Sequence, residues 1–100
     1  SLGELEQGYV SQQGSEAFGV ADACAEEALR RMRLDSNYGV GAGTIGLTLR
    51  NGSCTIEVTD LGGNQRQIDV QGQRDIYYSR LQLTVTINSG VVTVNGWEEV

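Results

Sequence analysis

Ile45-Gly46-Leu47-Thr48-Leu49-Arg50-Asn51-Gly52-Ser53-Cys54-Thr55-Ile56-Glu57-Val58 is the stretch whose reading decides the fold. Apolar and polar residues alternate on both sides of Asn51-Gly52, which is the period of a strand with one buried face. Asn-Gly between two such runs is a strong hairpin signal. A two-residue loop at Asn51-Gly52 sets Leu49 against Cys54, Leu47 against Ile56 and Ile45 against Val58. All three apolar pairs then share one face, so turn chemistry and patterning agree.

The same reading extends toward the C-terminus. Leu81, Leu83, Val85 and Ile87 alternate with polar residues, and a two-residue turn at Ser89-Gly90 sets Ile87 against Val92 and Val85 against Val94. Between the hairpins, Gly62-Gly63-Asn64 turns the chain into a polar strand carrying Arg66, Ile68 and Val70. Ile76-Tyr77-Tyr78 is out of phase with Leu81, which predicts a bulge or break near Ser79-Arg80. Four or five antiparallel strands with one apolar face are expected.

Toward the N-terminus the period changes. Leu2, Leu5, Tyr9, Ala17, Val20, Cys24, Ala28 and Met32 fall at steps of three or four, apart from a gap at Gln13. This spacing predicts one helix with one apolar stripe. Ser1-Leu2-Gly3-Glu4 fits a capping box. Arg30, Arg31 and Arg33 suit the helix end, and Asp35-Ser36-Asn37-Tyr38-Gly39 supplies turn formers that stop it. The expected fold class is α+β: a long N-terminal α-helix packed on a four- to five-stranded antiparallel β-sheet. Residues 1–100 then form a single domain, with helix at 1–34, a Gly-rich linker at 35–43 and sheet at 44–100. Some 30 helical residues span about 45 Å, against a radius of gyration of about 13 Å for a compact 100-residue domain. Leu2, Leu5, Tyr9 and Val10 would therefore lie beyond the sheet and offer an apolar stripe for a partner.

Composition narrows the function classes. The 100 residues carry 7 Arg against 13 Asp plus Glu, a net charge of −6, and contain no Lys, His or Pro. A surplus of carboxylates disfavours nucleic acid as a partner of this domain. Without His or Lys the usual general base, imidazole ligand, Schiff base and phosphate clamp are missing, so no enzyme activity, metal or cofactor is expected. Asp35-Ser36-Asn37 opens like a calcium loop but lacks the closing Glu. Glu26-Glu27 and Glu98-Glu99 read as solvated surface. Asn51-Gly52-Ser53 fits a glycosylation acceptor as well as a turn, and Trp97 reads as a cap over the core edge. No apolar run reaches the roughly 20 residues needed to span a bilayer. The start at Ser1 leads us to expect a fragment or processed form.

Cys24 lies on the helix stripe and Cys54 on the apolar face of the second strand, so helix-on-sheet packing points both thiols into one interface. A Cys24–Cys54 bridge is expected, with two separate buried thiols as the alternative. Closing a loop of that span is worth roughly 3–4 kcal/mol on the chain-entropy model.

The order of these parts resembles the type IV pilin family and its pseudopilin relatives. The resemblance lies in the helix segment Ala23-Cys24-Ala25-Glu26-Glu27-Ala28-Leu29-Arg30-Arg31 and the turn Leu34-Asp35-Ser36-Asn37-Tyr38. It continues through Asn51-Gly52-Ser53-Cys54-Thr55, Thr59-Asp60-Leu61-Gly62-Gly63 and the closing Gly96-Trp97-Glu98-Glu99-Val100. It implies a minor-pilin-like soluble headgroup lacking its membrane-spanning half-helix, in a bacterial cell envelope or extracellular filament. Its partners would be other pilin subunits, with Leu2, Leu5, Tyr9 and Val10 at the assembly interface. The membrane would be reached only through the missing N-terminal helix. An extracellular adhesion module recognising a protein or carbohydrate surface is the alternative.

Overall fold

A computed structural model describes residues 2–100 of the chain, with side chains for 16–100. Helical backbone α1 (Leu2–Leu34) precedes strands β1 (Thr44–Leu49), β2 (Gly52–Gly62), β3 (Gln65–Arg74), β4 (Tyr77–Asn88) and β5 (Val91–Glu99). Among the described residues the strands form one five-stranded antiparallel sheet in sequence order, β1-β2-β3-β4-β5. Each alternates inward and outward, and the inner rows of β2, β3 and β4 are buried at Cys54, Ile56, Val58, Ile68, Val70, Leu81, Leu83, Val85 and Ile87.

This corrects the expected fold class. The architecture is mostly sheet, and the helical part with described side chains that packs on it is the short segment 16–34, not a long helix. The lengths explain it. Ten residues of β3 at 3.3 Å rise extend about 33 Å, which about 20 helical residues match at 1.5 Å each.

The segment 16–34 buries a wider face than its period suggested. Ala21, Ala25 and Leu29 join Ala17, Val20, Cys24, Ala28 and Met32 in the core. The alanines matter because the helix backbone comes down onto the sheet. A Cβ placed on Gly72 in β3 would run into the backbone of Ala21 and come within 2.8 Å of the Ala17 carbonyl oxygen. Small residues on both surfaces permit that approach. Turn residues then carry the chain off the helix: Asp35 Oδ1 accepts the Asn37 N–H at 3.0 Å, and Tyr38 N–H donates to Asp35 O at 2.9 Å. Gly39 has φ 78°, and a side chain there would lie 2.6 Å from Val58 Cγ2. Val40 forms a parallel bridge to Val58 before β1 begins.

The C-terminal hairpin matches its reading: Ile87 faces Val92, Val85 faces Val94, and Ser89 and Gly90 both have positive φ. Two other details differ. The first hairpin turns at Arg50-Asn51, so Leu49 faces Gly52, Leu47 faces Cys54 and Ile45 faces Ile56. Slippage by two residues keeps every apolar side chain on its face. Gly52 sits inside β2 because a Cβ there would meet the Gln73 carbonyl oxygen and lie 3.1 Å from Val20 Cγ2. The break expected near Ser79-Arg80 does not occur. β4 pairs continuously with β3 from Tyr77, and Ile76 sits 79% exposed in the Asp75-Ile76 turn.

Candidate functional site

Gly72 pairs with Cys54 across β2 and β3, and Cys24 lies one helical turn after Ala21. The close approach at Gly72 thus brings the helix down beside Cys54. Cys24 and Cys54 form a disulfide with their Cα atoms 6.6 Å apart, and both are buried. The alternative of two separate thiols falls away. The bond ties the segment 16–34 to the second strand across a sequence separation of 30.

The helical segment lies over β2, β3 and β4, leaving both edge strands partly open. Ile45, Leu47 and Leu49 on β1, and Val92 and Trp97 on β5, are only half-buried against the core. Trp97 faces Leu83 and does cap the core edge. On the β1 side an open groove of about 580 Å³ runs between helix and sheet, lined by Gly19, Val20, Ala23, Leu49, Arg50 and Arg74 among others. Arg74 closes one end, with Nε 3.3 Å from Glu16 Oε2 and Nη1 donating to Asn51 O at 2.8 Å. These partners come from helix, β1–β2 turn and β3, so local spacing could not reveal the groove. Its size falls in the range of small-ligand sites, and its polar side chains are the Arg50 and Arg74 guanidiniums, the Glu16 carboxylate and the Asn51 amide.

The remaining candidates are scattered. Glu27 accepts from Arg30 Nη2 at 2.6 Å and Nε at 2.9 Å, and from Arg31 Nε at 2.8 Å. Those bonds, Arg30's first, hold its carboxyl down at about 2 against an ordinary 4.5. Glu26 is exposed and points elsewhere. Ser79 Oγ donates to Glu99 Oε2 at 3.0 Å, while Glu98 faces solvent, so the two carboxylates diverge as adjacent strand residues must. Asn51 is exposed in its turn. Asp35 serves the helix stop. Among the described residues no three His, Cys, Asp or Glu gather to hold a metal, and no helix is long and apolar enough to cross a membrane. Leu2, Leu5, Tyr9 and Val10 lie outside the residues whose side chains are described.

The outer face of the sheet is polar and internally bonded: Asp69 accepts from Gln67 Nε2 at 3.0 Å and Gln82 Nε2 at 3.1 Å. Tyr38 packs against the core with its ring 5.8 Å from the Arg31 guanidinium carbon, and its buried hydroxyl has no hydrogen-bond partner among the described residues. Among the described residues the arrangement offers two contrasting faces and two open edges. The chain matches no protein-family model, no curated protein and no solved structure.

Proposed function

We propose that this domain is a structural subunit, minor-pilin- or pseudopilin-like, of a type IV pilus-like filament or secretion pseudopilus. It acts by assembly with other such subunits, not by catalysis, in the bacterial envelope or outside the cell. The observation that carries the reading is how the sheet is mounted: the segment 16–34 is bonded covalently to β2, so a chain entering from the N-terminal side enters on a helix fixed to the sheet. Such a mount suits a head carried by a helix that packs with others. The buried bridge also suits an oxidising compartment.

Immunogold labelling of sheared surface filaments from the producing cell tests the proposal. Gold along or at the tip of filaments is the expected result, and recovery only from the cytosol refutes it. Reading the gene upstream of Ser1 gives a second check: a short basic leader followed by about 20 apolar residues supports the reading, and its absence counts against it. The open groove beside β1 favours a second reading, an extracellular binding module, in which the domain retains a protein or carbohydrate ligand as a free species and labels no filament.

A further inference from the structure

Asn-Gly occurs twice in the chain, at Asn51-Gly52 and Asn95-Gly96. The pair carries a latent reaction. The backbone nitrogen after an asparagine can attack that residue's own side-chain carbon through a five-membered ring, and glycine leaves the approach uncrowded. The fold separates the two sites. Asn95 is the extra residue of the β5 bulge, with rungs on both sides at Val94 and Gly96, and its Nδ2 donates to Thr86 Oγ1 at 2.6 Å. That bond ties the amide to β4. Asn51 stands exposed in the β1–β2 turn, and Gly52 forms the last rung of the ladder, opposite Leu49. A terminal rung opens before interior ones. The carbonyl oxygen of the Asn51–Gly52 peptide accepts from Arg74 Nη1 at 2.8 Å, while Arg74 Nε lies 3.3 Å from Glu16 Oε2.

We propose that Asn51 is a self-modification site, converted to aspartate and isoaspartate through a cyclic imide, with Arg74 as the activating group. When Gly52 N gives up its proton to hydroxide, negative charge spreads onto the Asn51 carbonyl oxygen, where the guanidinium already donates. Gly52 N then bonds to Asn51 Cγ, the Cγ–Nδ2 bond breaks, and the amide nitrogen takes a proton from water and leaves as ammonia. Water opens the ring in either of two ways. Breaking the bond from Gly52 N to Cγ gives aspartate, and breaking the bond from Gly52 N to the Asn51 main-chain carbonyl carbon gives isoaspartate. Water is the only reagent consumed. The reactive pair is built into the fold, because a Cβ on Gly52 would meet the Gln73 carbonyl oxygen and lie 3.1 Å from Val20 Cγ2. The product changes the groove beside β1: the Arg50 and Arg74 guanidiniums share it with the Glu16 carboxylate before the reaction, and with a second carboxylate after it. Isoaspartate also lengthens the main chain of the turn by one carbon.

The purified, oxidised domain is held at mildly alkaline pH and sampled over time, and peptide mass spectrometry reads aspartate and isoaspartate at both positions. In the folded domain Asn51 should convert roughly tenfold faster than Asn95, because only the latter is tied within a strand. In urea with reductant the two rates should converge. Arg74 has a half-exposed side chain, so replacing it leaves the core untouched, and circular dichroism checks that each variant keeps its sheet. Arg74→Gln should slow conversion of Asn51 in the folded domain by roughly tenfold, with no change in urea. Arg74→Lys, which keeps a charged donor, should slow it less. An arginine that merely braced the turn would give the opposite sign, since a looser turn closes the ring faster. Asn51→Gln should abolish the reaction at that position and leave Asn95 as it was. The proposal is overturned by a folded domain in which Asn51 stays intact or reacts no faster than Asn95, or by an Arg74→Gln variant that converts at the wild-type rate or above it.

Discussion

Reducing the Cys24–Cys54 bond perturbs the covalent tie and almost nothing else, since both sulfurs stay in the core when the domain refolds around them. The sequence separation of 30 sets the effect. On the chain-entropy expression the tie withholds about 12 cal/mol/K from the unfolded chain, or about 3.7 kcal/mol at room temperature. A 100-residue domain unfolds with an entropy of about 0.21 kcal/mol/K, so the melting temperature should fall by about 17 °C on reduction. Cys24→Ser with Cys54→Ser should fall further, because it leaves two buried hydroxyls where the sulfurs lay, each costing about 1–3 kcal/mol unless bonded. Calorimetry of the oxidised, reduced and doubly substituted proteins gives the three values. Thiol titration of the denatured protein without reductant should find almost no free thiol. The reasoning fails if two thiols titrate there, or if reduction moves the midpoint by less than about 5 °C.

Other outcomes follow from single contacts. Gly72→Ala should cost about 3 kcal/mol in urea denaturation, because its methyl group meets helix backbone that cannot swing aside; a loss under 1 kcal/mol would show that the helix does not sit so close. Tyr38→Phe removes a buried hydroxyl with no hydrogen-bond partner among the described residues, so stability should hold or rise by up to about 1 kcal/mol, and a clear loss would reveal a bond to that hydroxyl, the nearby Arg31 guanidinium being the first candidate. For Glu27 the folded value is lowered, so its stabilisation is complete above the ordinary 4.5 and disappears as pH falls toward 2. NMR titration should place its midpoint near 2, and Arg30→Ala should bring it back up; a midpoint near 4.5 in the wild type would dissolve the ion-pair argument.

Much of the sheet was legible because alternation survives local error. Ile45, Leu47 and Leu49 face inward whether the turn falls at Asn51-Gly52 or one residue earlier, since the slip is even. The turn itself was not legible. Gly52 answers to Val20 and the Gln73 carbonyl, which are distant in sequence, and not to the preference of Asn-Gly for a turn. Asp75 likewise takes φ 56° in a two-residue turn that no glycine marks, which is why the spacing points to a break near Ser79-Arg80 that the strand does not contain. On the helix the spacing located Cys24 and therefore the bridge, but Ala21 and Ala25 did not register as core residues. Small side chains become core only where a partner surface has a hollow, and Gly72 provides it. The groove was invisible for a similar reason: Glu16 and Arg74 meet only after the strands are stacked in order.

The bond between helix and second strand also decides how the domain bears a load. A pull on the N-terminal side peels the segment from residue 16 only as far as Cys24, and the tension then passes through sulfur into β2. The chain between the two cysteines, a sequence separation of 30, is shielded from extension, which withholds about 100 Å of contour length at 3.3–3.6 Å per residue. Single-molecule stretching with and without reductant would display that hidden length directly, and equal extensions in the two conditions would show that force bypasses the bridge. A domain wired this way yields first by fraying at its entrance while most of its sheet stays folded.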